Sequence, residues 1–163
     1  MTNKRTAVEV KTTGPSYLAW RGELLAELAL ARLPSLLVHK RADHPASDLP
    51  YDFLVATERG LCFFVEVKAF SSSRLAVSDV RTVPELLWSV DAGLIRRVRA
   101  NQSPFILFLF DADTDHGRYL RLDTLPDPQP GSRRLVVQFP LEQTINRRNV
   151  ERLIADLDKA ATA

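Results

Sequence analysis

The sequence predicts an α/β fold, a mixed central sheet flanked by helices, with a C-terminal strand–strand–helix extension. Three observations carry this. An Ala- and Leu-rich helical stretch over residues 16–33 precedes three extended runs. The last of those runs, Leu61 to Lys68, is almost wholly apolar, the pattern of a strand covered on both faces. A second helical stretch and another apolar run, Phe105 to Phe110, complete the order helix, three strands, helix, strand, which calls for a sheet with helices packed on it.

The elements follow in order. Residues 1–14 are polar and predict a flexible arm or a short strand. Ser16 is a suitable N-cap for the first helix. Leu18, Gly22, Leu25, Ala29 and Leu33 form one stripe, which Leu24 and Leu28 widen, and Pro34 ends the helix. Leu36 to Lys40 reads as a strand, Asp43 to Pro50 as a loop, and Tyr51 to Ala56 as the second strand. Glu58-Arg59-Gly60 predicts a hairpin turn into the third. After the polar break Ser71-Ser72-Ser73, Thr82 and Glu85 frame a capping box with Pro84 in the first turn. The expected helix runs from Val83 to about Ala100 on a stripe of Leu86, Leu87, Val90, Leu94 and Val98. Phe105–Phe110, Arg118–Asp123 and Arg134–Phe139 read as strands, Asp127–Gly131 as a loop, and Asn149–Lys159 as the closing helix.

Composition bounds the function. The chain of 163 residues is sized for one domain, residues 1–163. An apolar fraction of 45% with 26% charged residues excludes wholesale disorder. A net charge of +2 excludes a histone-like polycation. Cys62 is the single cysteine, so neither an internal disulfide nor a cysteine-based zinc cluster is available. No apolar run approaches the roughly 18 residues of a membrane span, and the first residues lack a signal peptide's apolar core, so a cytoplasmic protein is expected.

One cluster of residues carries chemistry. Side chains alternate along a strand, so Glu66 and Lys68 share a face. The predicted hairpin folds Asp52 back beside them. Two carboxylates and one ammonium then meet on an otherwise apolar sheet, where an uncompensated charge costs several kcal/mol. A divalent cation is one compensation: Mg²⁺ takes one or two carboxylates plus waters and phosphate oxygens. Lys68 within reach of a bound phosphate would orient water or stabilise developing charge. The alternative is a buried Asp52–Glu66–Lys68 ion network with no metal.

The run Leu49-Pro50-Tyr51-Asp52-Phe53-Leu54-Val55, followed after a turn by Phe64-Val65-Glu66-Val67-Lys68, resembles the PD-(D/E)XK nuclease superfamily. Within it the chain looks most like small endonuclease-like bacterial proteins of the DUF4365 type and relatives of homing endonucleases. Gly22-Glu23, Trp88 and the strand ending at Asp111 extend the resemblance over residues 16–157. It implies a restriction-endonuclease-like αβββαβ core and Mg²⁺-dependent cleavage of DNA, with Mn²⁺ able to substitute. Asp52 and Glu66 would be metal ligands, Lys68 the catalytic lysine, and Glu23 the helix carboxylate supporting the metal or a water. Glu27, one turn on, is the alternative to Glu23. Pro50 precedes Tyr51 rather than Asp52, so the literal Pro-Asp dipeptide is absent.

Around this centre, Ser71, Ser72, Arg74, Arg96 and Arg97 are candidate nucleic-acid contacts, with Arg81 a further member of a basic rim. Arg96, Arg97 and Arg99 also have a structural reason to sit at a helix C-terminus. Asp111, Asp113 and Asp115 lack the glycine and glutamate of a calcium loop and read as a strand-end turn. His39, His44 and His116 are scattered, and His44 reads as a solvated loop residue. A chain this short leaves little room for a separate recognition domain, so specificity is expected from a partner protein or a homodimer. An inactive nucleic-acid-binding or protein-interaction domain on the same fold is the competing reading.

Overall fold

The computed structural model describes residues 7–10, 16–41, 49–75 and 77–162. His44 and most of the expected 43–50 loop lie outside the described residues. The elements are β1 (Ala7–Val10), α1 (Ser16–Ala31), β2 (Leu36–Lys40), β3 (Phe53–Thr57), β4 (Cys62–Phe70), β5 (Glu85–Asp91), α2 (Ala92–Asn101), β6 (Phe105–Asp111), β7 (Gly117–Arg121), β8 (Arg134–Pro140) and α3 (Arg147–Thr162).

Five strands form the main sheet in the order β2-β3-β4-β6-β7. β2, β3 and β4 run antiparallel, β4 and β6 parallel, and β6 and β7 antiparallel. With α1 ahead of the first three strands and α2 ahead of β6, this is the expected αβββαβ core on a mixed sheet. Gly60, at φ +83°, makes the β3–β4 turn where the sequence placed it.

The apolar character of β4 has the expected cause, cover on both faces. Phe63, Val65 and Val67 pack with Ala26 and Leu30 of α1 and with Leu153 and Leu157 of α3. Phe70 joins Leu94, Ile95 and Val98 of α2 and β6 residues Leu107 and Leu109 on the other side. Each of the larger buried side chains contributes about 1.5–3 kcal/mol of burial free energy. α1 approaches β4 closely at Gly22, where a Cβ would lie 2.9 Å from the Cβ of Ala69. The buried stripe of α1 is Leu18, Gly22, Ala26 and Leu30. Leu24 and Leu28 do not widen it: with Tyr17 and Trp20 they form an exposed row on the outer face.

The expected helix over residues 83–100 is corrected to a strand followed by a shorter helix. In β5, Leu86, Trp88 and Val90 are buried alternately, a period of two. β5 pairs in parallel with β1 and antiparallel with β8, making a second sheet of order β1-β5-β8. The change of period falls at Asp91, whose carboxylate accepts the N–H of Leu94 at 2.9 Å and caps α2. The capping box at Thr82 does not form; its hydroxyl donates to the carbonyl of Asp79. The C-terminal extension is divided, with β7 closing the main sheet and β8 the second.

Arg118 of β7 ties the two sheets together. It is fully buried, and its guanidinium donates to the carbonyls of Val80, Val83, Pro84 and Phe139. Burial lowers its pKa, and the charge of Glu142 opposes that shift.

Candidate active site

Asp52 stands one residue before β3 rather than within the strand as expected. Its main-chain N–H donates to the carbonyl of Val65 at 2.8 Å, and its carboxylate Oδ2 accepts the N–H of Val67 at 2.6 Å. Asp52 thereby brackets Glu66 from the neighbouring strand. Glu66 and Lys68 share the β4 face turned toward α2 and β5, and Lys68 Nζ lies 2.6 Å from Glu66 Oε1. The three expected residues are therefore brought together.

Their surroundings raise both carboxyl pKa values. For Glu66 the main cause is burial; Lys68 opposes it, Asp52 adds to it, and Arg97 opposes it. For Asp52 burial again leads, opposed by the Val67 N–H and supported by the charge of Glu23. Glu66 is 6% exposed, and its second oxygen, Oε2, is buried without a hydrogen-bond partner among the described residues. An orphaned carboxylate oxygen there carries a desolvation cost of about 1–3 kcal/mol or more. A hard cation suits it: two carboxylates are a normal protein share of a Mg²⁺ shell. Among the described residues no third His, Cys, Asp or Glu completes a ready-made cage, so water and substrate would supply the other oxygens.

Glu23 faces the same region from α1. Its Oε2 pairs with Lys40 Nζ at 2.9 Å, and that pairing is the first cause of the raised Lys40 pKa. The charges of both Glu23 and Lys40 fall on Asp52. Glu27 is exposed, and its charge is also felt by Lys40. Lys40 was not among the expected residues, and the sequence offers no signal for it beyond its place at the end of a strand.

The expected nucleic-acid contacts divide. The Ser71 hydroxyl donates to Asp113 at 2.7 Å, and the N–H groups of Ser72 and Ser73 go to Asp111 and Asp113. These bonds, Ser71's first, lower the Asp113 pKa. The serines therefore join the ends of β4 and β6, and Asp111 is fully buried in the same turn. Arg74 is exposed just after them, and Arg81 pairs with Asp79 at 2.9 Å. Arg96 donates to the carbonyls of Gln129 and Ser132, and Arg99 bonds Asp127 at 2.6 Å. Arg97 makes no hydrogen bond or ion pair among the described residues, and its charge acts on Glu66. His39 is exposed; His116 is half-buried, and its pKa is lowered chiefly by that burial.

Glu66 and Lys68 open onto a cavity of about 240 Å³ between the two sheets. β5 supplies Trp88, Ser89, Val90 and Asp91, α2 supplies Leu94 and Arg97, and β8 supplies Arg134. Sequence reasoning named Arg97 but missed the β5 part of this wall because it read β5 as helix. A larger groove of about 680 Å³ lies between the β3–β4 turn and α3 and includes none of the expected site residues.

No protein-family model matches the chain, so the finer likeness to DUF4365-type proteins finds no support. No curated protein matches it either. A solved structure with a similar backbone is Hjc, a Holliday junction resolvase from the archaeal hyperthermophile Archaeoglobus fulgidus. The two share 15% identity, the match covers 72% of this chain and 86% of that one, and the TM-score is 0.48.

Proposed function

We propose that the protein is a divalent-metal-dependent nuclease that hydrolyses phosphodiester bonds in DNA. The observation supporting this best is the convergence of Asp52, Glu66 and Lys68, with Glu66 and Lys68 at a cavity mouth and Glu66 Oε2 left unpartnered among the described residues. Asp52 and Glu66 would hold Mg²⁺ or Mn²⁺. When bound, the ion would polarise the phosphodiester and lower the pKa of an attacking water.

The chain's own residues do the rest. The Val67 N–H fixes the Asp52 carboxylate, so its free oxygen points at a defined place. Lys68, 40% exposed at its side chain, reaches from Glu66 into solvent, where a phosphate's non-bridging oxygens would meet its N–H donors. It stabilises charge that grows on those oxygens. Water oxygen bonds to phosphorus, the bond to the leaving sugar oxygen breaks, and that oxygen takes up a proton. Glu23, anchored by Lys40 on the α1 side, would support the ion or a water.

The deciding experiment is cleavage of plasmid and oligonucleotide substrates in Mg²⁺, Mn²⁺ or EDTA, with Glu66→Ala and Lys68→Ala beside wild type. Metal-dependent cutting that both variants lose is the expected result. No cutting, with no rise in melting temperature on adding metal, would sink the reading. One observation favours the competing, non-catalytic reading: Glu66 Oε1 is already paired with Lys68. An inactive domain would bind DNA equally well with and without metal.

A further inference from the structure

We infer that Arg97 of α2 and Arg134 of β8 form a phosphate anchor that grips a nucleic-acid strand beside the Glu66–Lys68 pair. The inference rests on the reading that this cleft receives a nucleic acid.

The charged side chains lining the cavity are Glu66, Lys68, Asp91, Arg97 and Arg134. Two carboxylates face three cations, and each carboxylate has a hydrogen-bonding partner other than the arginines. Glu66 pairs with Lys68, and Asp91 caps α2 through the Leu94 N–H. Among the described residues neither arginine forms an ion pair with either carboxylate, and the five charges sum to +1.

α2 carries three arginines in its second half, and their partners separate them. Arg96 and Arg99 are tied to the 125–132 loop. Arg97 alone of the three lines the cavity, and it has no hydrogen bond or ion pair among the described residues.

Arg134 is held in place from behind. Its Nε donates to Ser89 Oγ at 2.6 Å and its Nη2 to the Ser89 carbonyl at 2.9 Å. Nη1 has no bond among the described residues, so a braced guanidinium keeps donors in reserve. Guanidinium forks match phosphate oxygens in pairs, and a fork held by its neighbours loses little freedom on binding. The two arginines stand on the second sheet and its adjoining helix, across the cavity from β4. A strand laid between the two sheets would therefore meet Lys68 on one side and the arginine pair on the other.

The test is binding of fluorescent oligonucleotides to the full chain in EDTA, where cleavage plays no part, over a series of salt concentrations. Single-stranded DNA, duplex DNA and single-stranded RNA are the probes. Arg97→Ala and Arg134→Ala are each expected to weaken binding roughly three- to tenfold and to reduce the slope of log Kd against log salt by about 1. Arg96→Ala removes the same charge from the same helix and is expected to leave both nearly unchanged. Arg97→Lys and Arg134→Lys, which keep the charge, guard against a folding artefact, with melting curves alongside. Equal losses in Arg96→Ala and Arg97→Ala would overturn the anchor, as would a wild type that binds none of the probes. A wild type that binds through Arg97 and Arg134 yet cuts nothing in Mg²⁺ would leave the anchor standing and remove the nuclease reading.

Discussion

Lys68 Nζ and Glu66 Oε1 are 2.6 Å apart, yet the carboxylate they share is satisfied on one side only. The Lys68 side chain is 40% exposed and the Glu66 side chain 9% exposed, so the ion pair straddles the boundary between core and solvent. Burial raises the Glu66 pKa, and the partner that opposes it is one that water also reaches. This arrangement separates the requirements of stability from those of activity.

Removing Lys68 strands a buried carboxylate. Lys68→Ala is expected to cost about 1–2 kcal/mol, less than a fully buried pair because the lysine is part-exposed. Replacing both partners, Glu66→Leu with Lys68→Met, is expected to be neutral or stabilising, since neither charge is then desolvated. Both proteins are expected to be inactive. Chemical denaturation and the cleavage assay, run in parallel, check the contrast; a double variant as destabilised as Lys68→Ala would contradict it.

The raised carboxyl pKa values fix the sign of a pH effect. The folded state holds protons on Glu66 and Asp52 more tightly than the unfolded chain does. Their contribution is therefore full below the ordinary carboxylate range and is lost as pH rises through the folded values. Glu66→Gln removes one titration, so the wild-type melting temperature minus that of the variant is expected to fall with rising pH across this window. The stabilisation of wild type by Mg²⁺ should run the opposite way, growing with pH as protons leave the same oxygens.

Gly22 sets the distance between α1 and the strand that carries Glu66 and Lys68. A Cβ there would meet Ala69 Cβ at 2.9 Å and Val67 Cγ1 at 3.3 Å. Alanine is the better helix former by about 1 kcal/mol, but the overpacking costs about 1–3 kcal/mol. Gly22→Ala is expected to lower stability by a net amount of about 1 kcal/mol and to reduce cleavage more than stability predicts, because β4 must shift. Ala19→Gly, on the outer face of the same helix, should lower stability without that excess loss of activity.

Arg118 satisfies four carbonyls from the 80–84 segment and β8. Arg118→Met fills much of the volume but takes the guanidinium donor from the buried Val83 carbonyl, while Val80 and Pro84 keep the N–H groups of Val83 and Leu141. A loss of about 3 kcal/mol is expected, read as a lower denaturation midpoint. Because β5 and β8 line the cavity, oligonucleotide binding should weaken as well.

The α/β class and the site's core residues were legible because both rest on local pattern. Leu61 to Lys68 carries two charges on an apolar strand, and period two alone puts Glu66 and Lys68 on one face. The Gly60 turn returns the chain, which brings Asp52 alongside. The 83–100 segment was not legible in the same way. Leu86, Leu87, Val90, Leu94 and Val98 fit a helical stripe, while Leu86, Trp88 and Val90 fit a strand equally well. The strand prevails because β1 and β8, distant in sequence, supply its hydrogen bonds. Leu24 and Leu28 show the same limit: a helix rich in leucine does not say which of its faces is covered.

The sequence by itself determined the order αβββαβ, the strands β4 and β6, and the company of Asp52, Glu66 and Lys68, since these follow from side-chain period and one tight turn. Only the tertiary structure decided that Glu66 Oε2 is orphaned and that Lys40 holds Glu23. It alone decided that the serines after β4 turn to Asp113, and that Arg97 and Arg134 face the cavity while Arg96 does not. Those outcomes depend on which partner each polar group meets across the fold. Such partners come from segments tens of residues away, and no local periodicity encodes them.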